Sequence, residues 1–129
     1  METAKYNVLI VDDDADVRSV VWTFLSMGGH FCDIAADGTD ALKKTDNKHY
    51  DAIITDVNMP KMNGIDLVRE LRTRSLSLPV MIMTGFADEQ SMRSIASIGV
   101  QALIEKPFTV TSFVDKFATM MKECSTYCQ

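Results

Sequence analysis

The chain has 129 residues, a net charge of −5 and a pI near 4.9. That length fits one domain, which can bury a core without disulfides or a structural metal. The negative charge excludes binding to DNA or anionic membranes by bulk attraction, so we expect no direct nucleic-acid partner and no membrane partner.

Five apolar runs rich in β-forming residues predict five strands. Four of them are continuous apolar runs, as in strands that are buried on both faces of a sheet. The second run is interrupted by Asp33, which makes it the better candidate for an edge strand. The runs are Asn7 to Val11, Phe31 to Ala35, Ala52 to Thr55, Val80 to Met83 and Ala102 to Ile104.

Helical patterns fill the gaps between these runs. The first predicted helix ends at Gly28-Gly29, and the second covers Asp37 to Asp46 with Asp37 or Thr39 as its cap. A core-facing stripe in the first helix is predicted at Val17, Val20, Val21, Phe24 and Leu25.

Three further helices are predicted in the second half of the chain. One follows the turn signal Asn63-Gly64, and the next covers Asp88 to Ile98 and is stopped by Gly99. Thr109 is predicted as the cap of the last helix. Its apolar stripe is predicted at Val110, Phe113, Val114, Phe117 and Met121.

Five consecutive strand-helix units predict an α/β protein with helices on both faces of a parallel sheet. At this length the leading topology is a flavodoxin-like, doubly wound (βα)5 sheet with strand order 2-1-3-4-5. We expect residues 1–129 to form a single domain with a core over about 6–121. Ligands of such sheets bind beyond the carboxyl ends of the strands.

Polar side chains follow four neighbouring strands of this predicted sheet. Asp12 and Asp13 come after the first strand, and Asp56 ends the third. Thr84 ends the fourth strand, and Lys106 follows the fifth. Adjacent strands lie ~4.8 Å apart, so the carboxylates can share one cation and the long lysine can lean back towards them.

This set of residues suits phosphoryl transfer. Clustered carboxylates repel one another, and a hard divalent cation such as Mg²⁺ would relieve that repulsion. Asp56 would act as the nucleophile and form an acyl phosphate. Mg²⁺, Lys106 and the Thr84 hydroxyl would each meet one phosphoryl oxygen.

Four motifs, in this order along the chain, closely resemble the receiver domain of two-component response regulators, a family that includes stand-alone chemotaxis regulators. The resemblance covers roughly Tyr6 to Met121. The motifs are Val11-Asp12-Asp13, the run Asp56-Val57-Asn58-Met59-Pro60 followed by Asn63-Gly64, then Met83-Thr84-Gly85, and finally Lys106-Pro107-Phe108.

The resemblance implies a set of roles for these residues. Asp56 would accept a phosphoryl group from a sensor histidine kinase or a histidine phosphotransfer protein, with Thr84, Lys106 and Asp12 assisting. Asp13, Asp56 and the backbone carbonyl of Asn58 would bind Mg²⁺ or Mn²⁺, with Asp12 acting largely through water. The bond between Lys106 and Pro107 would be cis, an isomer found in about 5–6% of such bonds.

The resemblance also implies how such a protein signals. It would be a phosphoprotein of a phosphorelay rather than an enzyme, and it would assist only its own phosphorylation and dephosphorylation. Phosphorylation would change the surface formed by the fourth helix, fifth strand and fifth helix. That surface would contact a downstream effector protein or output domain, or form a phosphorylation-dependent dimer.

Two positions depart from well-known receivers. Leu103 stands where many carry Tyr or Phe as a rotating switch, three residues before the lysine. Phe86 stands two residues after the threonine, where fast-hydrolysing chemotaxis regulators carry an acid. Leu103 weakens the aromatic-switch model for this chain, and Phe86 favours a longer-lived phosphoryl group.

Alternative functions remain open at the level of the sequence. An aspartyl-phosphate phosphatase of the haloacid-dehalogenase type is the main rival, but its D-x-D-x-T/V pattern fails at Asp16 and at Arg18. A degenerate receiver that acts only as a scaffold is the second. A calcium loop is rejected, because the required Gly and Glu positions are Val17 and Thr23.

The sequence predicts the cellular location and the domain context in less detail. No apolar run approaches the ~20 residues of a membrane span, and no signal peptide is visible, which favours a cytoplasmic protein. No output domain follows the fifth helix, so we expect either a stand-alone regulator or a receiver cut from a larger protein. His30 and His49 lie in predicted loops and are expected to be solvated.

Overall fold

Strands and helices alternate along the chain in the computed structural model, which describes residues 5–59, 61–74, 76–85 and 89–127. No helix in these ranges is long and apolar enough to cross a membrane. The order is β1 Asn7–Val11, α1 Ala15–Met27, β2 Phe31–Ala35, α2 Gly38–Asn47, β3 Ala52–Asp56, α3 Gly64–Thr73, β4 Val80–Thr84, α4 Glu89–Ile98, β5 Ala102–Glu105 and α5 Val110–Tyr127.

The five strands form one parallel sheet in the order β2-β1-β3-β4-β5. The predicted flavodoxin-like topology is therefore confirmed, and the interrupted strand β2 lies at an edge. Every residue of β3 and of β4 is buried. Burial on both faces explains why these strands are continuous apolar runs.

The core consists of two layers, one on each face of the sheet. Val8 and Ile10 of β1 pack in the layer covered by α1 and α5. Leu9 and Val11 point the other way, into the layer covered by α2, α3 and α4. Side chains alternate between the faces because successive residues of a strand point to opposite sides.

Helix starts are fixed by local side-chain caps. Asp37 Oδ1 accepts a hydrogen bond of 2.8 Å from the Asp40 N–H, and Thr109 Oγ1 accepts one of 3.0 Å from the Ser112 N–H. Both predicted caps are confirmed. Asn63, which the sequence indicates as a turn residue, instead caps α3. Asp88, the predicted start of the fourth helix, lies outside the described residues.

The predicted apolar stripes of α1 and α5 are wrong at their margins. Val20 is 45% exposed, and Val110 and Val114 are 41% and 44% exposed. The two buried residues of α1 are Val21 and Leu25. A helix that packs on a sheet buries a narrower sector than the full stripe, so positions at its edge remain in solvent.

Candidate functional site

The polar residues predicted from the sequence meet at the carboxyl edge of the sheet. Asp12 directly follows β1, and Asp56 is the last residue of β3. Thr84 ends β4, and Lys106 directly follows β5. Because these four strands are contiguous in the sheet, their ends bring the side chains to one place.

Lys106 connects two carboxylates that belong to different strands. Its Nζ lies 3.2 Å from Asp12 Oδ2 and 3.1 Å from Asp56 Oδ1, and it donates a hydrogen bond to each. The side chain of Lys106 is 23% exposed. The lysine therefore reaches from β5 to the end of β3, as the sequence predicts from its length, and also to Asp12 beyond β1.

The pKa of Lys106 is raised above its usual value. Burial acts to lower that pKa, but the hydrogen bond and charge of Asp56, together with those of Asp12, outweigh it. The ammonium form is thus favoured by the two acids it contacts.

Three carboxylates lie close enough together to hold a metal ion. Asp12, Asp13 and Asp56 each offer one oxygen, and these oxygens lie within 4.8 Å of one another. Asp12 and Asp56 are buried, whereas Asp13 is exposed. An all-oxygen donor set with one side open to water is suited to a hard divalent cation that keeps part of its hydration shell.

Asp12 is the most constrained member of this cluster. Its Oδ1 accepts a hydrogen bond of 2.9 Å from the Asp14 N–H, and its own N–H donates to Ala35 O at 3.1 Å. Burial raises the pKa of Asp12, and the charge of Asp56 raises it further, whereas Asp14 and Lys106 act to lower it. The pKa of Asp12 is raised overall, so the hydrogen bond from Asp14 and the charge of Lys106 only partly offset the cost of burying this carboxylate.

Backbone contacts tie the neighbouring strand ends to the cluster. Thr84 is buried, and its carbonyl accepts a hydrogen bond of 2.7 Å from the Lys106 N–H. The Lys106-Pro107 peptide bond is cis, as the family resemblance implies. Asn58 lies two residues beyond β3 with an exposed side chain. Phe86 lies outside the described residues.

Two residues support the cluster in a way that the sequence did not indicate, although Gly64 belongs to the turn signal Asn63-Gly64. Gly64 begins α3 directly against the end of β3, and an added Cβ there would overlap the carbonyl oxygen of Asp56. Arg18 of α1 donates a hydrogen bond of 2.7 Å from Nη1 to the carbonyl oxygen of Asp12. The direction of the Arg18 side chain could have been predicted, because helical side chains lean towards the helix N-terminus, which here lies next to Asp12.

This fold and this site define a class of protein, and comparison with known proteins agrees. The model of the response regulator receiver domain matches residues 8–118. The chain belongs to that family. It is therefore a receiver domain of the kind found in two-component response regulators, a regulatory family, with an acidic cluster that could hold a metal ion.

Particular relatives place the chain within this family. It is 39% identical over 106 residues to Sensor protein EvgS of Escherichia coli strain K12, a match that covers 82% of this chain and 9% of that protein. It is 30% identical over 122 residues to the two-component response regulator PhoP of Pseudomonas aeruginosa, covering 95% of this chain and 54% of the relative. The chain thus spans about half the length, or less, of these curated relatives.

A solved structure supports the same assignment. The chemotaxis protein CheY4 of Vibrio cholerae is 30% identical and superposes with a TM-score of 0.85, covering 91% of this chain and 99% of that one. A CheY-like receiver domain from Methanospirillum hungatei superposes with a TM-score of 0.90 at 23% identity, which supports the fold.

Proposed function

We propose that this chain is a phosphorylation-activated switch that accepts a phosphoryl group on Asp56. The observation that carries the proposal is the contact between Lys106 Nζ and Asp56 Oδ1, at 3.1 Å, inside a cluster of three carboxylates at the sheet edge. Asp56 is buried, with 7% of its side chain exposed, and it lies next to the exposed Asp13. A cation already bound to the acceptor carboxylate is suited to stabilise added negative charge.

The chemistry is transfer between a donor histidine and this aspartate. One Asp56 oxygen forms the new O–P bond while the donor's N–P bond breaks, and the released imidazole takes up a proton from solvent. The donor would be a sensor histidine kinase or a histidine phosphotransfer protein. On this proposal the chain assists its own phosphorylation and dephosphorylation and turns over no separate substrate.

A divalent metal fits the residues that are present. Asp13, Asp56 and the backbone carbonyl of Asn58 would hold it, and Asp12 would contact it through water; all of these donors are oxygens. Mg²⁺, or Mn²⁺, would neutralise the carboxylates and one phosphoryl oxygen when bound. Lys106 and the Thr84 hydroxyl would meet the other two oxygens.

Intact-mass measurement after incubation with acetyl phosphate and Mg²⁺ tests the proposal. Wild type should gain one phosphoryl group, and Asp56→Asn should gain none. Asp115→Asn on the exposed side of α5 is the matched control and should label like wild type. Labelling of Asp56→Asn at the wild-type level would overturn the assignment. Continuing hydrolysis of a phosphoester substrate by the wild type would instead favour a phosphatase.

The output would be carried by the surface that α4, β5 and α5 form. The Thr84 carbonyl and the Lys106 N–H are hydrogen-bonded, so a pull on either residue moves the ends of β4 and β5 together. Leu103 is half-buried and packs against the layer that contains Ile95 of α4. Leucine lacks the hydroxyl and ring of an aromatic switch, so the backbone of this region would carry the change.

Beryllofluoride, a phosphoryl mimic, tests this coupling by NMR. Chemical-shift changes across α4 should be largely lost in Thr84→Ala and largely kept in Leu103→Ala. A ligand shifts such an equilibrium only by its differential affinity for the two states, and the Thr84 hydroxyl supplies that difference here. Equal responses in wild type and Thr84→Ala, with the response lost in Leu103→Ala, would make Leu103 the switch.

The proposed domain covers residues 1–129 with a core over about 6–121, in line with the family match. A downstream effector protein or output domain, or a phosphorylation-dependent dimer, would receive the signal. The cytoplasmic location expected from the sequence stays a prediction.

A further inference from the structure

The loop that carries two of the three acids is held from outside the cluster by Arg18. Arg18 lies in the second turn of α1, and its Nη1 donates a hydrogen bond of 2.7 Å to the carbonyl oxygen of Asp12. The Arg18 side chain is half-buried. It lines the same surface groove as Trp22 and Ile34.

The bonded carbonyl is part of the peptide that joins Asp12 to Asp13. A peptide unit is planar, so fixing the Asp12 carbonyl also fixes the direction in which the chain enters Asp13. The Asp13 carboxylate makes no hydrogen bond or ion pair within the described ranges. Its direction is therefore set mainly by the backbone that precedes it.

We propose that Arg18 is a positioning residue, which aims the Asp13 carboxylate at the metal site by clamping the Asp12–Asp13 peptide. The inference rests on the function proposed above, since it assigns Arg18 a part in assembling that site. Groups that hold metal ligands in place from behind affect metal affinity even though they touch no metal.

The clamp and the charge of Arg18 have opposite effects on a divalent cation. A nearby guanidinium repels Mg²⁺, so loss of its charge alone would tighten binding. Loss of the clamp would weaken binding because Asp13 would then sample directions away from the site. The sign of the change in the Mg²⁺ dissociation constant therefore separates the two effects.

Calorimetric titration of the metal-free protein with Mg²⁺ tests the inference. Arg18→Met should raise the dissociation constant about tenfold, and Arg18→Lys, which keeps the charge and one long donor, should recover part of the loss. Asp13→Ala is the positive control and should abolish most of the binding. Arg69→Met removes the same charge from an exposed ion pair on α3 and should leave the dissociation constant unchanged.

A second measurement separates positioning from a purely structural role. In the metal-free Arg18→Met protein, NMR shifts should change mainly at residues 12–14, and the affinity loss should exceed any loss of thermal stability. An Arg18→Met dissociation constant that is equal to or below the wild-type value would overturn this inference but not the proposed metal site. A lower melting temperature with unchanged Mg²⁺ affinity would do the same. Wild type without saturable Mg²⁺ binding would overturn the proposed metal site itself.

Discussion

Lys106 is the counter-charge of two buried acids, so its removal should destabilise the metal-free fold strongly. Its Nζ lies 3.1 Å from Asp56 Oδ1 and 3.2 Å from Asp12 Oδ2. At an effective dielectric constant of about 20, each contact corresponds to roughly 5 kcal/mol of Coulomb attraction before desolvation is subtracted. Breaking a buried pair by removal of one partner costs about 3–5 kcal/mol.

The expected loss in Lys106→Met is at the lower end of that range, about 3 kcal/mol, because Asp13 leaves the cluster open to water on one side. For a chain of this size each kcal/mol shifts the melting temperature by about 3–5 °C. The melting temperature should therefore fall by about 10 °C at pH 7.5 in the absence of metal. Lys116→Met, at an exposed position of α5, is the matched control and should melt within about 2 °C of wild type.

The pH dependence of this loss has a definite sign. The pKa of Asp12 is already raised by burial, and loss of Lys106 should raise it further. A carboxyl group whose folded pKa lies above its unfolded value stabilises the fold at low pH, and that contribution is lost as pH rises through the folded pKa. The difference between wild type and Lys106→Met should consequently be smaller at pH 5 than at pH 7.5.

Differential scanning calorimetry with and without Mg²⁺ completes the test. The cation would replace the missing charge, so Mg²⁺ should raise the melting temperature of Lys106→Met by more than it raises that of wild type. A metal-free Lys106→Met protein that melts within about 2 °C of wild type at pH 7.5 would show that Lys106 is not the counter-charge of these acids.

Two further predictions concern a close backbone approach and a half-buried imidazole. Gly64→Ala should lower stability by about 1–3 kcal/mol and slow acetyl-phosphate labelling, because the methyl group overlaps the Asp56 carbonyl. Labelling kinetics and urea melts measure this. Gly85→Ala, where an added methyl meets no atom of the described residues within 4 Å, is the control for the melts. His30 has a pKa lowered by burial and by the Lys5 charge, so the fold should lose stability as pH falls below about 6.5. Urea melts at pH 7.5 and 5 should show a smaller pH dependence in His30→Phe than in wild type. Equal pH dependence in the two proteins would show that His30 is not the group responsible.

The strands could be predicted from the sequence because their signal is local and strong. A continuous apolar run stops where the strand leaves the core. The predicted ends of each strand therefore agree with the observed ends to within one residue. The caps Asp37 and Thr109 could be predicted for the same reason, since a cap bonds to a residue only three positions away.

Features that depend on packing between distant segments could not be predicted in this way. His30 was expected to be solvated, and that expectation is wrong. Its ring stacks on Tyr6 and meets Phe117 edge-on, with centroids 5.4 and 5.2 Å away, and its Nδ1 accepts a hydrogen bond of 3.1 Å from the Tyr6 N–H. Those partners come from the residue that precedes β1 and from α5, and no local pattern around Gly28-Gly29 reveals them.

The candidate site was predictable for a topological reason. In a parallel sheet every strand presents its carboxyl end at the same edge. Polar residues that follow neighbouring strands therefore lie close together, and the strand order tells which strands are neighbours. Asp12, Asp56 and Lys106 are 50 or more positions apart where they bond across the site, yet the order 2-1-3-4-5 places them in contact. The supporting contacts of Arg18 and Gly64 were not predictable from that rule, because they come from helices.

The position of Lys106 also suggests how a phosphoryl group would be sensed on the proposed function. In the structure the lysine contacts an Asp56 oxygen directly. Once that carboxylate carries a phosphoryl group, the negative charge lies farther from the β3 backbone, and Lys106 must follow it to remain paired. Its own N–H is bonded to the Thr84 carbonyl, so any backbone shift of Lys106 that accompanies this movement would reach the end of β4. On the proposed function, a receiver with Leu103 at this position would respond through its backbone.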